Sequence, residues 1–248
     1  MLVTENIFSD FCQTGIAERY HQLLSSVREQ EIRFQRTPGS VTVLAVSKTH
    51  GVDMLRDAWS AGIREFGENY VQEALGKIHE LSSPNTQTPG IIWHFIGPIQ
   101  SNKTKDIAAH FDWVHGIDRI KIIQRLQDQR PANLPALNVC IQVNLSNELS
   151  KSGTDLDQAR ELCAAVSAMD RLRLRGLMAI PAPCDDHEQQ RAAFRPLAEL
   201  FRELQQQYPS MDTLSMGMSN DYPAAIAEGA TLLRIGSLLF GSRPPKSG

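Results

Sequence analysis

A (β/α)8 barrel preceded by one extra helix is the α/β fold this sequence predicts, and three observations predict it. Apolar, β-branched runs alternate with amphipathic segments about eight times along the chain. The length, 248 residues, is close to the roughly 250 that such barrels use for one domain. Neither GxGxxG nor GxxxxGK followed by Ser or Thr comes after the first strand, where a nucleotide-binding doubly wound sheet usually carries one. The alternation by itself also fits an open doubly wound sheet. One domain over residues 1–248 is expected, with the N-terminal helix at about 5–35 and the barrel at about 41–242.

Each element has a local reason. Ile16, Tyr20, Leu23, Leu24 and Val27 recur at helical spacing between polar residues, so an amphipathic helix precedes the first strand. That strand is the run VTVLAV (Val41–Val46). Val52–Ala61 returns to helical spacing, Arg64–Gly67 is a short strand, and Asn69–Leu81 is helical. The polar loop Ser82–Gly90 leads to the strand Ile91–Ile96, the helix Ser101–Ala109 and the strand Asp112–Ile117. Asp118 is a candidate cap for the next helix, and Pro131 helps to end it. Leu137–Asn144, rich in Val and Ile, is the clearest strand. The loop LSNELSKSG precedes the helix Asp155–Met169 and the strand Leu172–Ile180. A loop opened by PAP and a long helix, about Asp185–Gln207, follow. The strand Thr213–Met216, the helix Asp221–Glu228, the strand Thr231–Ile235, a short apolar helical piece and the tail RPPKSG complete the order.

Composition narrows the partners. With 42% hydrophobic and 21% charged residues and a formal net charge of -3, the chain has core material and no basic stripe for nucleic acid. Cys12, Cys140, Cys163 and Cys184 are scattered, with no CxxC pair and no histidine at ligand spacing, so reduced thiols are expected and no metal site. Met1–Asp10 has no positive n-region before an apolar run, and no stretch reaches the length of a membrane span. A cytoplasmic protein is expected, and a monomer.

The chemistry begins at VTVLAVSKTHG. In a barrel the functional face is where strands end, and Lys48 stands just past the first strand. By two-residue alternation it shares a face with Val46 and Leu44. Held at the top of an apolar shaft, a lysine loses part of its proton affinity and becomes a nucleophile towards carbonyl compounds. The ordinary reading is a solvated surface lysine. After the seventh strand comes Gly217-Met218-Ser219-Asn220-Asp221, and after the eighth Gly236-Ser237. Glycine permits close approach, Ser219 and Ser237 offer hydroxyls, and the loops after strands 7 and 8 are where this fold holds phosphates. The ordinary reading of the first of these turns is a plain helix cap.

If the barrel closes, strand 8 neighbours strand 1, and a molecule with a phosphate at one end and an aldehyde at the other bridges the two sites. Pyridoxal 5′-phosphate fits that description. Arg234 lies inside an apolar strand and needs a partner. Either a carboxylate on a neighbouring strand or a ligand would serve. Guanidinium has donors and no acceptor, so against a pyridine nitrogen it favours the unprotonated ring, a weaker electron sink.

The motifs VSKTHG at Lys48, FGENYVQE from Phe66, WHFIGPIQSNK from Trp93, SKSG from Ser150, RGLMAIPAP from Arg175, LSMGMSND from Leu214 and RIGSLLFG from Arg234 together closely resemble the pyridoxal phosphate homeostasis protein family. The resemblance implies a barrel of the fold type III kind, like the N-terminal domain of alanine racemase, with the cofactor as an internal aldimine on Lys48. It implies Asn69 and Met178 beside the ring, Ser219, Gly236 and Ser237 around the phosphate, and Arg234 near the ring nitrogen. Many relatives carry Thr where this chain has Ser237, and the hydroxyl is retained. The implied function is control of pyridoxal phosphate supply, buffering the aldehyde or handing it to apo-enzymes, without robust turnover.

The runner-up is a racemase-like enzyme with Lys48 as base. Racemases of this fold add a C-terminal domain that supplies a catalytic tyrosine, whereas this chain ends soon after the eighth strand. Tyr70, the tyrosine closest in sequence to the site, reads as ordinary helix packing. His94 and His115 end predicted strands and are candidates to face the site, with capping or core hydrogen bonding as the usual role of each. Lys151 of SKSG reads as a solvated loop charge.

Overall fold

Helix α1 (Ile16–Arg33) is clamped to the first strand through one carboxylate. Fully buried Glu31 accepts hydrogen bonds from the backbone N–H of Gly39 at 2.7 Å and of Val41 at 2.8 Å. The structure, a computed structural model, describes residues 14–82, 88–146 and 152–241. The proposed helical residues 5–13, Cys12, Lys151 and the tail from 242 lie outside the described residues.

From α1 the chain runs β1 (Thr42–Val46), α2 (Val52–Ser60), β2 (Glu65–Glu68), α3 (Val71–Leu81), β3 (Ile92–Phe95), α4 (Thr104–His110), β4 (Trp113–Ile117), α5 (Ile120–Gln129), β5 (Leu137–Val143) and α6 (Leu156–Ser167). It continues β6 (Leu172–Ala179), α7 (His187–Gln207), β7 (Thr213–Ser215), α8 (Tyr222–Ala227), β8 (Leu232–Ile235) and α9 (Ser237–Phe240). The eight strands close into a barrel in sequence order. β1 pairs in parallel with β2 and with β8, Thr42 lying opposite Leu232 and Ala45 opposite Ile235. Closure removes the open-sheet alternative and sets the first and last strands side by side.

Alternation along the strands sorts side chains into two apolar zones. The larger lies between strands and helices and includes the fully buried Phe66, Phe95, Phe111 and Phe194. Each such side chain contributes about 1.5–3 kcal/mol by leaving water. The smaller zone is Leu44, Val46, Ile96 and Leu232, clustered separately, which fits Leu44 and Val46 pointing into the barrel. Where β6 meets β7, a Cβ on Gly176 would stand 1.6 Å from the Thr213 carbonyl oxygen, so only glycine lets these strands approach.

Some boundaries move for local reasons. Tyr70 has extended backbone (φ -122°, ψ 115°), so α3 begins at Val71 and leaves Asn69 in the loop after β2. Tyr70 is 58% exposed, so it does not pack as a helical residue. α8 starts at Tyr222 with Pro223 in its first turn, where a missing N–H costs nothing. Cys140 and Cys163 are buried free thiols, and burial pushes the Cys163 thiol up to about 12. Among the described residues no helix is long and apolar enough to cross a membrane, and no group of three or more His, Cys, Asp or Glu is placed to hold a metal ion.

Candidate functional site

The loop after β1 is built by its neighbours. Ser47 is fully buried, and its N–H donates to the Gly67 carbonyl at 3.0 Å. Thr49 sits at φ 68°, a left-handed conformation that a β-branched residue rarely adopts. Its N–H donates to Glu73 Oε1 at 2.6 Å. Lys77, only 5% exposed, spends its three donors on Ser47 O (2.8 Å), Glu68 Oε1 (2.7 Å) and Glu73 Oε1 (2.6 Å). Ser47 Oγ also donates to Glu68 Oε1 at 2.6 Å. Burial pushes the Glu68 carboxyl above its usual range, against the pull of Lys77. Both residues flanking Lys48 are therefore pinned.

At the C-terminal mouth of the barrel Lys48, Asn69, Ser219, Arg234, Gly236 and Ser237 line one cavity of about 300 Å3, together with Val46, Ile180 and Met218 among others. That volume is at the lower end for small-molecule sites. Ser219 Oγ and Ser237 Oγ lie 3.0 Å apart, so two hydroxyls converge from the loops after β7 and β8. The turn before α8 is already partly satisfied. Met218 N–H donates to Asp221 Oδ1 at 2.5 Å, and the N–H groups of Asp221 and Tyr222 donate to Met218 O. The hydroxyls, more than that helix start, are what the turn offers an anion. Met178, expected beside the ring, is fully buried on β6 and is not among the residues lining the cavity. Ile180, two residues further along the chain and just past the strand end, lines it instead.

Arg234 is 4% exposed on β8. Its Nη1 donates to Ser215 O at 2.7 Å and to Ser215 Oγ at 2.8 Å, and Nη2 donates to Ala179 O at 2.8 Å. Its acceptors in these bonds are neutral, not the strand carboxylate considered from the sequence. Burial lowers its pKa to about 10, with the Asp221 charge opposing, so the guanidinium stays charged at neutral pH. The remaining N–H groups of its fork are left for the cavity it lines. The buried Asn69 Oδ1 has no hydrogen-bond partner among the described residues, so a donor group on a bound molecule would satisfy it. Hydroxyl donors, a lysine and an acceptor awaiting a donor line one cavity, a set complementary to the functional groups of pyridoxal phosphate.

Sequence reasoning missed two things: the Lys77–Glu68–Glu73 cluster, and that the two histidines expected to make core hydrogen bonds make one with each other. A signal existed for the first, since Glu73 and Lys77 are four apart on one helix. His94 and His115 are both buried inside the fold and hydrogen-bonded to each other, 2.9 Å apart.

Comparison with known proteins adds to this geometry. A family model described as the alanine racemase N-terminal domain matches residues 26–244. The pyridoxal phosphate homeostasis protein of Pseudomonas aeruginosa is 54% identical over 228 residues, covering 92% of this chain and 96% of that protein. The Escherichia coli K12 protein of the same name is 50% identical, covering 92% and 97%. Among solved structures, PipY of Synechococcus elongatus with pyridoxal phosphate bound is 38% identical at a TM-score of 0.78, covering 91% of this chain and all of PipY. Alanine racemase from Corynebacterium glutamicum, 14% identical at a TM-score of 0.62, shares the fold. The chain belongs to the pyridoxal phosphate homeostasis protein family, built on the alanine racemase N-terminal domain.

Proposed function

We propose that this protein binds pyridoxal 5′-phosphate with Lys48 as its covalent anchor and serves cytoplasmic homeostasis of the cofactor, buffering it or delivering it to apo-enzymes without robust turnover. The observation that carries this reading is the single cavity shared by Lys48 and the Ser219–Ser237 hydroxyl pair. The names of the relatives and the cofactor bound to PipY support it. The bound cofactor supplies a reactive aldehyde and an electron-drawing ring.

The chain's own residues account for the rest. Lys48 presents its amine from a pinned loop. Ser219 and Ser237 donate to the phosphate, and Gly236 keeps the strand end open to it. Asn69 Oδ1 accepts from a donor on the ring. Arg234 offers donors only, which keeps a proton off the ring nitrogen and weakens the ring as an electron sink. That is a holding arrangement more than a carbanion-generating one.

The test is a visible absorption spectrum followed by borohydride trapping and peptide mapping. A yellow protein with the label on Lys48, and loss of that label in Lys48→Ala, is expected. A wild-type protein labelled only at other lysines would overturn the anchor. Turnover-level exchange of the α-proton of L-amino acids in deuterated water would favour a racemase-like enzyme.

A further inference from the structure

A chain of polar side chains runs through the barrel interior from one mouth to the other. Arg234 Nη1 lies 2.8 Å from Ser215 Oγ, and Ser215 Oγ lies 3.0 Å from His115 Nδ1. His115 Nε2 lies 2.9 Å from His94 Nδ1, and His94 Nε2 lies 2.5 Å from Glu65 Oε2. The first four residues are each 4% exposed or less. Glu65 is the first residue of β2, at the mouth opposite the cavity, and its side chain is 26% exposed. The links cross from β8 through β7, β4 and β3 to β2.

Donor and acceptor chemistry constrains the direction of this chain. Guanidinium only donates and carboxylate only accepts. His115 is held well below the ordinary imidazole pKa by burial and then by His94 and Arg234, so its ring carries one proton at neutral pH. The order that follows holds for a His94 ring with a single proton, and it is set from the carboxylate end. Glu65 accepts from His94 Nε2–H, which makes His94 Nδ1 the acceptor for His115 Nε2–H. His115 Nδ1 then accepts from the Ser215 hydroxyl, whose lone pairs face Arg234 Nη1–H. Every link has one donor and one acceptor. In the opposite polarity, with the His115 proton on Nδ1, Ser215 Oγ would stand between two donors and its own hydrogen would lose this acceptor.

We propose that Glu65 and His94 are positioning residues for Arg234, acting from the far mouth of the barrel. Through His115 they turn the Ser215 hydroxyl so that it receives the guanidinium, and this holds the donor fork at the inner wall of the cavity. What the fork meets there rests on the functional reading above; the orientation of the chain does not.

Two measurements test this. Long-range 1H–15N spectra of the imidazole rings in the cofactor-free protein read the tautomers, and the His115 proton is expected on Nε2. Finding it on Nδ1 overturns the proposal. In Glu65→Leu the chain loses its terminal acceptor. The expected results are a mixed His115 tautomer, an altered Arg234 side-chain signal, a shifted visible band with pyridoxal phosphate and affinity weaker by about three- to tenfold, the scale of one hydrogen bond. Glu65→Gln, which keeps a carbonyl acceptor, is expected to restore all four. A Glu65→Leu protein that matches wild type in tautomer, Arg234 signal and band position overturns the proposal, whatever happens to its melting temperature. A wild type that fails to take up pyridoxal phosphate would sink the functional reading, while the ring tautomers and the Arg234 signal would still decide the chain.

Discussion

The loop that carries Lys48 is clamped by charges, whereas Arg234, which lines the same cavity from the neighbouring strand, is clamped by neutral acceptors. Lys77 lies within 2.7 Å of two carboxylate oxygens and also holds the Ser47 carbonyl. Arg234 is given two backbone carbonyls and one hydroxyl. The difference follows from what each must do. A backbone loop can be fixed by ions that never touch a ligand. A guanidinium facing the cavity would be occupied by a carboxylate hydrogen-bonded to it, whereas neutral acceptors orient it with the Asp221 charge acting only from a distance.

The largest test of this contrast is Lys77→Met. It leaves Glu68 as a buried carboxylate without its cation, and removing one partner of a buried pair costs about 3–5 kcal/mol. Urea unfolding is expected to show a loss of that order, with a share recovered in the Lys77→Met, Glu68→Gln double variant. A loss below about 1 kcal/mol, the range of a surface pair, would erase the distinction between the two clamps.

A smaller effect concerns the neutral side. His115 has its pKa depressed in the folded state. Below the ordinary imidazole value of ~6.5, the unfolded chain takes up a proton that the folded chain refuses. The stability this group contributes is therefore complete above that pH and lost as pH falls, at up to about 1.4 kcal/mol per unit. The urea midpoint is expected to drop between pH 7 and pH 5, and less steeply in His115→Gln. Equal slopes for the two proteins would mean that His115 is not the group refusing the proton.

The order of elements was legible because strand and helix periods differ, and Lys48, Ser219 and Ser237 were legible because each follows a strand end. The clamps were not. Glu68 and Lys77 come from β2 and α3 to reach Ser47 in the β1 loop, and no local pattern records that meeting. His115 was harder still. β4 has a register irregularity between Val114 and Ile117, so alternation counted along the sequence cannot say which face the ring takes. Met178 entered through the family resemblance and not through strand parity, and no local pattern tells that it is buried while Ile180 lines the cavity.

The smallest test returns to the Lys48 loop. Thr49 is held in a left-handed conformation by Glu73 accepting its N–H, a strain of order 1–3 kcal/mol for such a residue. Thr49→Gly removes the strain but adds freedom to the unfolded chain, which offsets about 0.5–1 kcal/mol. A net rise in stability of about 1 kcal/mol is expected, alongside faster release of pyridoxal phosphate, because the same change loosens the backbone beside Lys48. If Thr49→Gly instead lowers stability, the threonine is not strained there. If it slows release, the pinned loop is not what holds the cofactor, and the charged clamp is a folding device alone.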